Sequence, residues 1–251
     1  MHKDDMAGGM LAAWQQGSAK PVCDVPLDPA VAYGLQQQYV ALRQSAVAGY
    51  KAAVTNRQGQ EALGLDEPLL GVLFEETRLA AADLDRIEGA VTPVIETEVG
   101  FVLAHDVSTP VTPGSVTGVL ACWQPMIEIG DIGFQSRPGV GDLIAGNAAG
   151  AWFLPGTASH AVATANQATV MLSRDGETVH RAQATDALGD QFACAAWMIN
   201  KALATGYELK AGMVLMTGAL GAPAPATAGH WLADYGEFGS IEFVVGEGSE
   251  D

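Results

Sequence analysis

The run Val94-Ile95-Glu96-Thr97-Glu98-Val99-Gly100-Phe101-Val102-Leu103 sets two carboxylates inside an apolar, β-branched stretch. Residues of these types at this density predict a strand. Side chains of a strand alternate between faces, so Glu96 and Glu98 point the same way as Val94, Gly100 and Val102. Like charges side by side on a strand bound for a core repel each other and lose hydration. Either the face is solvated, or an edge protected by charge, or a hard divalent ion such as Mg²⁺ lies between the oxygen donors. A second apolar stretch, residues 123–129, repeats the problem, with Glu128 between Ile127 and Ile129. One metal shared with Glu96 and Glu98 accounts for all of these carboxylates economically. With water and a chelating substrate they complete an octahedral shell.

The rest of the chain can supply a core for such a strand. Of 251 residues, 49% are hydrophobic and only 16% charged, which predicts a globular protein with a sizeable interior. The net charge of −17 argues against a nucleic-acid partner, and it makes each lysine in an apolar setting informative. No run approaches the roughly 18 apolar residues of a membrane helix, and the first residues, Met1-His2-Lys3-Asp4-Asp5, do not read as a signal peptide. Cys23, Cys122 and Cys194 are odd in number and far apart. They fit reduced thiols in a cytoplasmic protein better than a disulfide frame or a zinc site.

The pattern predicts α+β architecture. A first helix lies around Leu11–Trp14, and a second starts at Asp28-Pro29 and runs to about Ala48, closed by Gly49. A short strand, residues 50–55, carries Lys51 among small and apolar neighbours. Taken alone that lysine reads as a snorkelling surface residue, the alternative being a paired or anion-binding one. Residues 56–63 are one or two helical turns, 70–74 a strand, and 75–90 polar and irregular. A helix-like segment follows over 112–121, a short helix over 142–147 and a strand over 151–154. Residues 168–183 form a hairpin about Asp175-Gly176, and 186–205 form the longest helix. A strand over 212–218 ends in a glycine-rich loop, and two strands, 231–235 and 241–245, close the chain. The segments divide as a helical N-terminal part, 1–50, a β-roll domain, 51–246, and an acidic tail, 247–251.

Other motifs carry little. Gly139-Val140-Gly141 is not a dinucleotide fingerprint, and neither a P-loop nor GxSxG occurs. His105-Asp106 reads as a turn in preference to a catalytic pair.

The blocks Gly49–Thr55, Leu63-Gly64-Leu65-Asp66-Glu67-Pro68, Gly71-Val72-Leu73-Phe74, Ile95–Glu98, Pro125-Met126-Ile127-Glu128 and Thr217-Gly218-Ala219-Leu220-Gly221 occur in one order. Together they resemble the 2-keto-4-pentenoate hydratase / 2-oxo-acid decarboxylase branch of the fumarylacetoacetate hydrolase superfamily, over residues 30–245. The resemblance implies a mixed β-sandwich roll with a helical N-terminal segment, assembled as a homo-oligomer. It implies Glu96, Glu98 and Glu128 as ligands of Mg²⁺ or Mn²⁺, and Lys51 as the active-site lysine. Asp142 and Asn147 fall in a substrate-side block, Thr217 and Gly218 in a loop that closes over the pocket, and Leu69 beside them. The implied activity is hydration of a 2-hydroxy-2,4-dienoate in aromatic or alicyclic ring catabolism. The alternatives are decarboxylation of a 4-oxalocrotonate-type diacid, or a non-catalytic partner subunit. Leu69 stands where hydratases often carry an acid, Ala148 and Ala149 where a serine is expected, and Gly189-Asp190-Gln191 replaces a Gly-His-Pro. The first two changes remove polar groups that could position water or substrate; they count against hydration specifically and leave metal-assisted enol chemistry intact. A glutamate–histidine dyad is not evident, which argues against C–C hydrolysis.

Overall fold

The computed structural model describes residues 1–80, 87 and 89–246. Part of the segment expected to be irregular, and the whole acidic tail, lie outside the described residues. Asp28 begins the N-terminal helical layer as expected. Its carboxylate accepts the Ala30 N–H at 2.9 Å, and Pro29 takes the first helical position. This helix, α2 (Pro29–Arg43), packs on α1 (Met6–Gln16). It stops earlier than Ala48, with Gln44 in the left-handed conformation. The residues after it already belong to a strand, β1 (Val47–Ala53), so the boundary drawn at residue 50 falls inside β1. The β-branched Val47 and the pairing offered by a neighbouring strand outweigh the continuing helical period.

β1 runs antiparallel to β2 (Leu69–Phe74), after the short helix α3 (Arg57–Leu63). β3 (Pro93–Leu103) and β4 (Leu120–Asp131) form the long antiparallel centre, and β5 (Gly150–Pro155) follows the helix α4 (Val140–Ala145). The helix expected over 112–121 is a single 3-10 turn, Val116–Val119, because β4 claims the chain from Leu120. β6 (Thr169–Arg174) and β7 (Glu177–Gln183) are the expected hairpin. Asp175 and Gly176 both have positive φ, 52° and 82°, as a two-residue turn between right-twisted strands requires. The helix expected to be the longest, α5 (Gln191–Thr205), equals α2 in length and starts five residues after the expected point, with Asp190 as its cap. β8 (Val214–Met216) is followed by β9 (Leu220–Pro225), β10 (Gly229–Asp234) and β11 (Ser240–Val245). β9 lies where a loop was expected: it pairs with β3, and its short residues carry no strand pattern of their own.

The first sheet has the order β2-β1-β8-β3-β4-β5, with β9 on β3; the second is β11-β10-β6-β7. One large core cluster runs from Met6 to Val245 and joins the helical layer to both sheets. Trp123, Trp231, Tyr50, Tyr235 and Phe101 are its largest fully buried side chains, while Phe153 lies in a second, smaller cluster. The Tyr235 hydroxyl donates to the carbonyls of Glu98 (2.8 Å) and Met126 (3.0 Å), which ties the second sheet to the strand pair that carries the carboxylates.

Candidate metal centre

The β3/β4 register sets Glu96 directly opposite Glu128, and Glu98 opposite Met126. Period-two alternation then brings all three carboxylates to one face, where one oxygen from each lies within 4.8 Å of the others. Glu98 and Glu128 are completely buried, while Glu96 is half-buried. The Gly218 N–H donates to Glu98 Oε2 at 2.7 Å. Glu98 Oε1 and both oxygens of Glu128 are buried without any hydrogen-bond donor among the described residues. Buried acceptors are rarely left this way, and three in one cluster suit a hard divalent cation.

Lys51 reaches this cluster from β1, because the curled sheet carries the chain from β1 through β8 and β3 to β4. Its Nζ lies 2.8 Å from Glu128 Oε2, an ion pair without hydrogen-bond alignment. Nζ also donates to the Ala148 carbonyl at 3.1 Å. The surface reading of Lys51 is therefore excluded: the residue is 3% exposed. Gly71, its partner across β1/β2, leaves the space for it. A Cβ there would sit 2.9 Å from Lys51 Cδ and 2.8 Å from the Asn147 carbonyl oxygen.

The electrostatics follow from burial and crowding. Burial, then the Glu128 charge, push Glu96 up to about 7 against the pull of Lys51. The same two causes push Glu98 well above the ordinary carboxylate value, with Lys51 and the Gly218 N–H opposing. For Lys51, burial acts to lower its pKa, but Glu128, Glu96 and Glu98 outweigh it and hold the ammonium protonated.

The substrate-side residues divide. Leu69 lines the cavity beside the carboxylates. Asp142 caps α4: its two oxygens accept the N–H groups of Cys23 (2.8 Å) and Gly139 (2.9 Å). Asn147 spends its amide on one residue, accepting from Val72 N at 2.7 Å and donating to Val72 O at 2.8 Å. The Thr217 hydroxyl faces Val99 O and Gln191 Oε1, and Gly218 acts through Glu98. None of these four lines the cavity; each braces main chain or a carboxylate behind its wall.

Asn147, Ala148 and Ala149 all have left-handed φ, 61°, 52° and 61°. Such a turn is costly without glycine and persists only where neighbours hold it. It presents the Ala148 carbonyl to Lys51, a contact that no side-chain pattern announces. Asn147→Ala strands two buried groups of Val72 and releases this turn. It is expected to lower unfolding free energy by about 2–3 kcal/mol in a denaturant titration.

Thr55, Leu63, Leu143 and Ile132 also line the cavity, and none of these residues stood out as a site residue in the sequence. Gln191 was visible only as a departure from a proline. It is fully buried and links Thr217 to the Ala184 carbonyl.

No family model matches the chain. It is 27% identical over 262 residues to a 2-keto-4-pentenoate hydratase of Burkholderia vietnamiensis, spanning 98% of this chain and 100% of that one. Among solved structures, 4-oxalocrotonate decarboxylase from Pseudomonas putida G7, complexed with magnesium and adipate, superposes with a TM-score of 0.84 at 18% identity. That match covers 97% of this chain and 98% of the other. A fumarylacetoacetate hydrolase family protein from Yersinia pestis CO92 gives 0.59 at 13% identity, over 80% of this chain and 93% of its own. The chain has the fumarylacetoacetate hydrolase fold. The expected β-sandwich roll with its helical N-terminal segment is borne out, and so is the resemblance to the hydratase branch. Among the described residues no helix is long and apolar enough to cross a membrane.

Proposed function

We propose that the chain is a metal-dependent hydro-lyase that adds water to a 2-hydroxy-2,4-dienoate, the kind of acid its hydratase relatives are named for. The observation that carries this reading is the set of partnerless buried oxygens of Glu98 and Glu128, set against the Lys51 ammonium at a cavity. Glu96, Glu98 and Glu128 would hold one divalent ion, Mg²⁺ or Mn²⁺. When bound, that ion supplies Lewis-acid stabilisation of negative charge on the C2 oxygen of a 2-keto acid or its enol. Lys51 has one N–H on Ala148 O and one face on Glu128, so a third N–H remains for the substrate carboxylate. As an ammonium it is an anchor for the substrate carboxylate and a proton donor at Nζ. The Gly218 N–H and the Tyr235 hydroxyl hold Glu98 and its backbone in place, so the ligand set is organised before substrate arrives. A homo-oligomer in the cytoplasm is part of the same reading and rests on the resemblance.

The test is a thermal melt in EDTA, in Mg²⁺, and in Mg²⁺ with oxalate, which presents the chelating head of a 2-keto acid. A ligand at about 100 times its Kd adds about 2.7 kcal/mol, or roughly 5–10 °C for a chain of this length. The expected result is a rise with Mg²⁺ and a further rise with oxalate that needs the metal. An oxalate effect that persists in EDTA, or none at saturation, would sink the reading.

A further inference from the structure

Glu96 and Glu98 share one face of β3, so Thr97 between them points to the other face, where it meets β7 of the second sheet. Thr97 is completely buried. Its Oγ1 lies 2.9 Å from the Leu220 carbonyl oxygen on β9 and 3.2 Å from Nε2 of His180, a half-buried residue on β7. A hydroxyl carries one proton, and a carbonyl oxygen only accepts. The Thr97 proton therefore goes to Leu220, and His180 supplies the proton of the other bond. The direction is thus fixed, from His180 Nε2–H to Thr97 Oγ1–H to Leu220 O, and bonds in such a chain polarise one another. The neutral ring with its proton on Nε2 makes this chain, as does the imidazolium; the tautomer with its proton on Nδ1 does not.

These bonds sit where the main-chain ladder is interrupted. Thr97 pairs with Leu220 and Ile95 with Ala224, so two steps along β3 span four along β9. The extra residues form a bulge in β9 beside Glu96. Pro223 in this bulge lines the cavity, as does Ala219 just before β9, and the neighbouring Gly218 N–H holds Glu98. Gly221, also in the bulge, has a φ of 80°, and a Cβ on it would sit 3.1 Å from His180 Cδ2 and 3.2 Å from Nε2. The imidazole is therefore seated on the bulge as well as on Thr97.

We propose that His180 is a positioning residue for the metal centre. Through Thr97 it holds the ligand-bearing stretch of β3 and the bulged start of β9 in one register, and with them the carboxylates of Glu96 and Glu98. The proposal rests on the site reading above and adds a residue that supports the ligands from the second sheet. Crowded carboxylates repel one another until an ion arrives, so their spacing depends on what braces the backbone behind them. Neither Thr97 nor His180 lines the cavity, so both act on the ion only through β3 and β9.

The experiment measures Mg²⁺ affinity of the full chain by calorimetry. Fixed pH and ionic strength and a temperature well below Tm make the value a property of the folded state. His180→Phe keeps a ring at a half-buried position and removes the donor. It is expected to weaken Mg²⁺ binding about 10-fold while moving Tm in EDTA by less than about 2 °C. His180→Gln, which offers an amide N–H near the place of Nε2, should bring the affinity back to within about threefold of the parent. Thr97→Val keeps the shape and removes the hydroxyl, and should weaken binding to a like extent. In the double variant the loss should be smaller than the product of the two single losses, because both break one chain of bonds. Thr97 is buried, so His180→Phe and its rescue decide if the valine variant fails to fold. Unchanged Mg²⁺ affinity in His180→Phe, or a loss that glutamine does not recover, overturns the proposal while the triad stands as the ligand set. Single losses that multiply in a folded double variant overturn it too. If the parent itself does not bind Mg²⁺, the site reading is overturned, and this proposal with it.

Discussion

Glu98→Gln is expected to cut kcat/KM on a hydroxydienoate by about 1,000-fold while leaving the metal-free protein as stable as the parent or more so. The two halves of that result have one cause. Glu98 is completely buried, its Oε1 has no donor, and Glu128 and Glu96 crowd it with like charge. Glutamine keeps the shape and keeps an oxygen for the Gly218 N–H, whose bond to the carboxylate is 2.7 Å. It removes one charge from a place where charge is costly without a cation. The apo variant should therefore melt level with the parent or about 2–4 °C higher, which for a chain of this size corresponds to about 1 kcal/mol. With the charge goes a ligand, so the Mg²⁺-induced rise in Tm should shrink or vanish. A residue that merely supports the fold would show the reverse, a lower apo Tm with metal response intact. That outcome would remove Glu98 from the ligand set.

How legible the site was depended on what kind of contact made it. Glu96 and Glu98 announced themselves by sitting two apart in an apolar run, and Glu128 by standing between isoleucines. Their meeting was not in that pattern, because it depends on the β3/β4 register that places Glu96 opposite Glu128. Lys51 looked ordinary in sequence, since nothing local says that a lysine on β1 will face β4. Long-range sheet curvature decides it, and the resemblance to a family supplied what local chemistry could not. Asp142 and Asn147 show the opposite failure. The resemblance put them in a substrate-side block, and in the structure their polar atoms are consumed by Cys23, Gly139 and Val72. An amide or carboxylate can serve a ligand or a backbone equally well, and only the fold tells which. The fold itself was read well where turns and caps are chemical, as at Asp28-Pro29 and Asp175-Gly176. It was read poorly where pairing overrides local preference, as in β9 and at the start of β1.

Such a cluster also makes the metal-free protein sensitive to pH in an unusual direction. Burial, with Glu128, raises Glu96 from its ordinary 4.5 to about 7, and raises Glu98 well above the same starting value. Between those values the folded state holds protons that the unfolded chain has released, so stability falls as pH rises. The penalty is absent below about pH 4.5 and grows up to about pH 7, where Glu96 titrates. Asp131 works the other way. Burial opposes its ionisation, but Lys20 and the N–H groups of Thr92, Gly133 and Val91 prevail and hold its pKa below 3.8. Its contribution is lost only in acid, so it does not oppose the triad between pH 5 and 8; His180, whose pKa burial lowers from 6.5, does oppose it in the lower part of that range. In EDTA, Tm is expected to fall by roughly 5 °C or more from pH 5.5 to pH 8. In saturating Mg²⁺ the fall should be much smaller, because a bound cation favours the ionised form that alkaline pH imposes. The gap between the two curves should therefore widen with pH, and Mg²⁺ affinity should rise with it. The overall charge of −17 would also favour melting at higher pH, but through the whole surface and with strong dependence on salt. Glu98→Gln separates the two causes. If the triad is responsible, the EDTA curve of that variant flattens at fixed ionic strength; an unchanged slope would assign the effect to the surface charge instead.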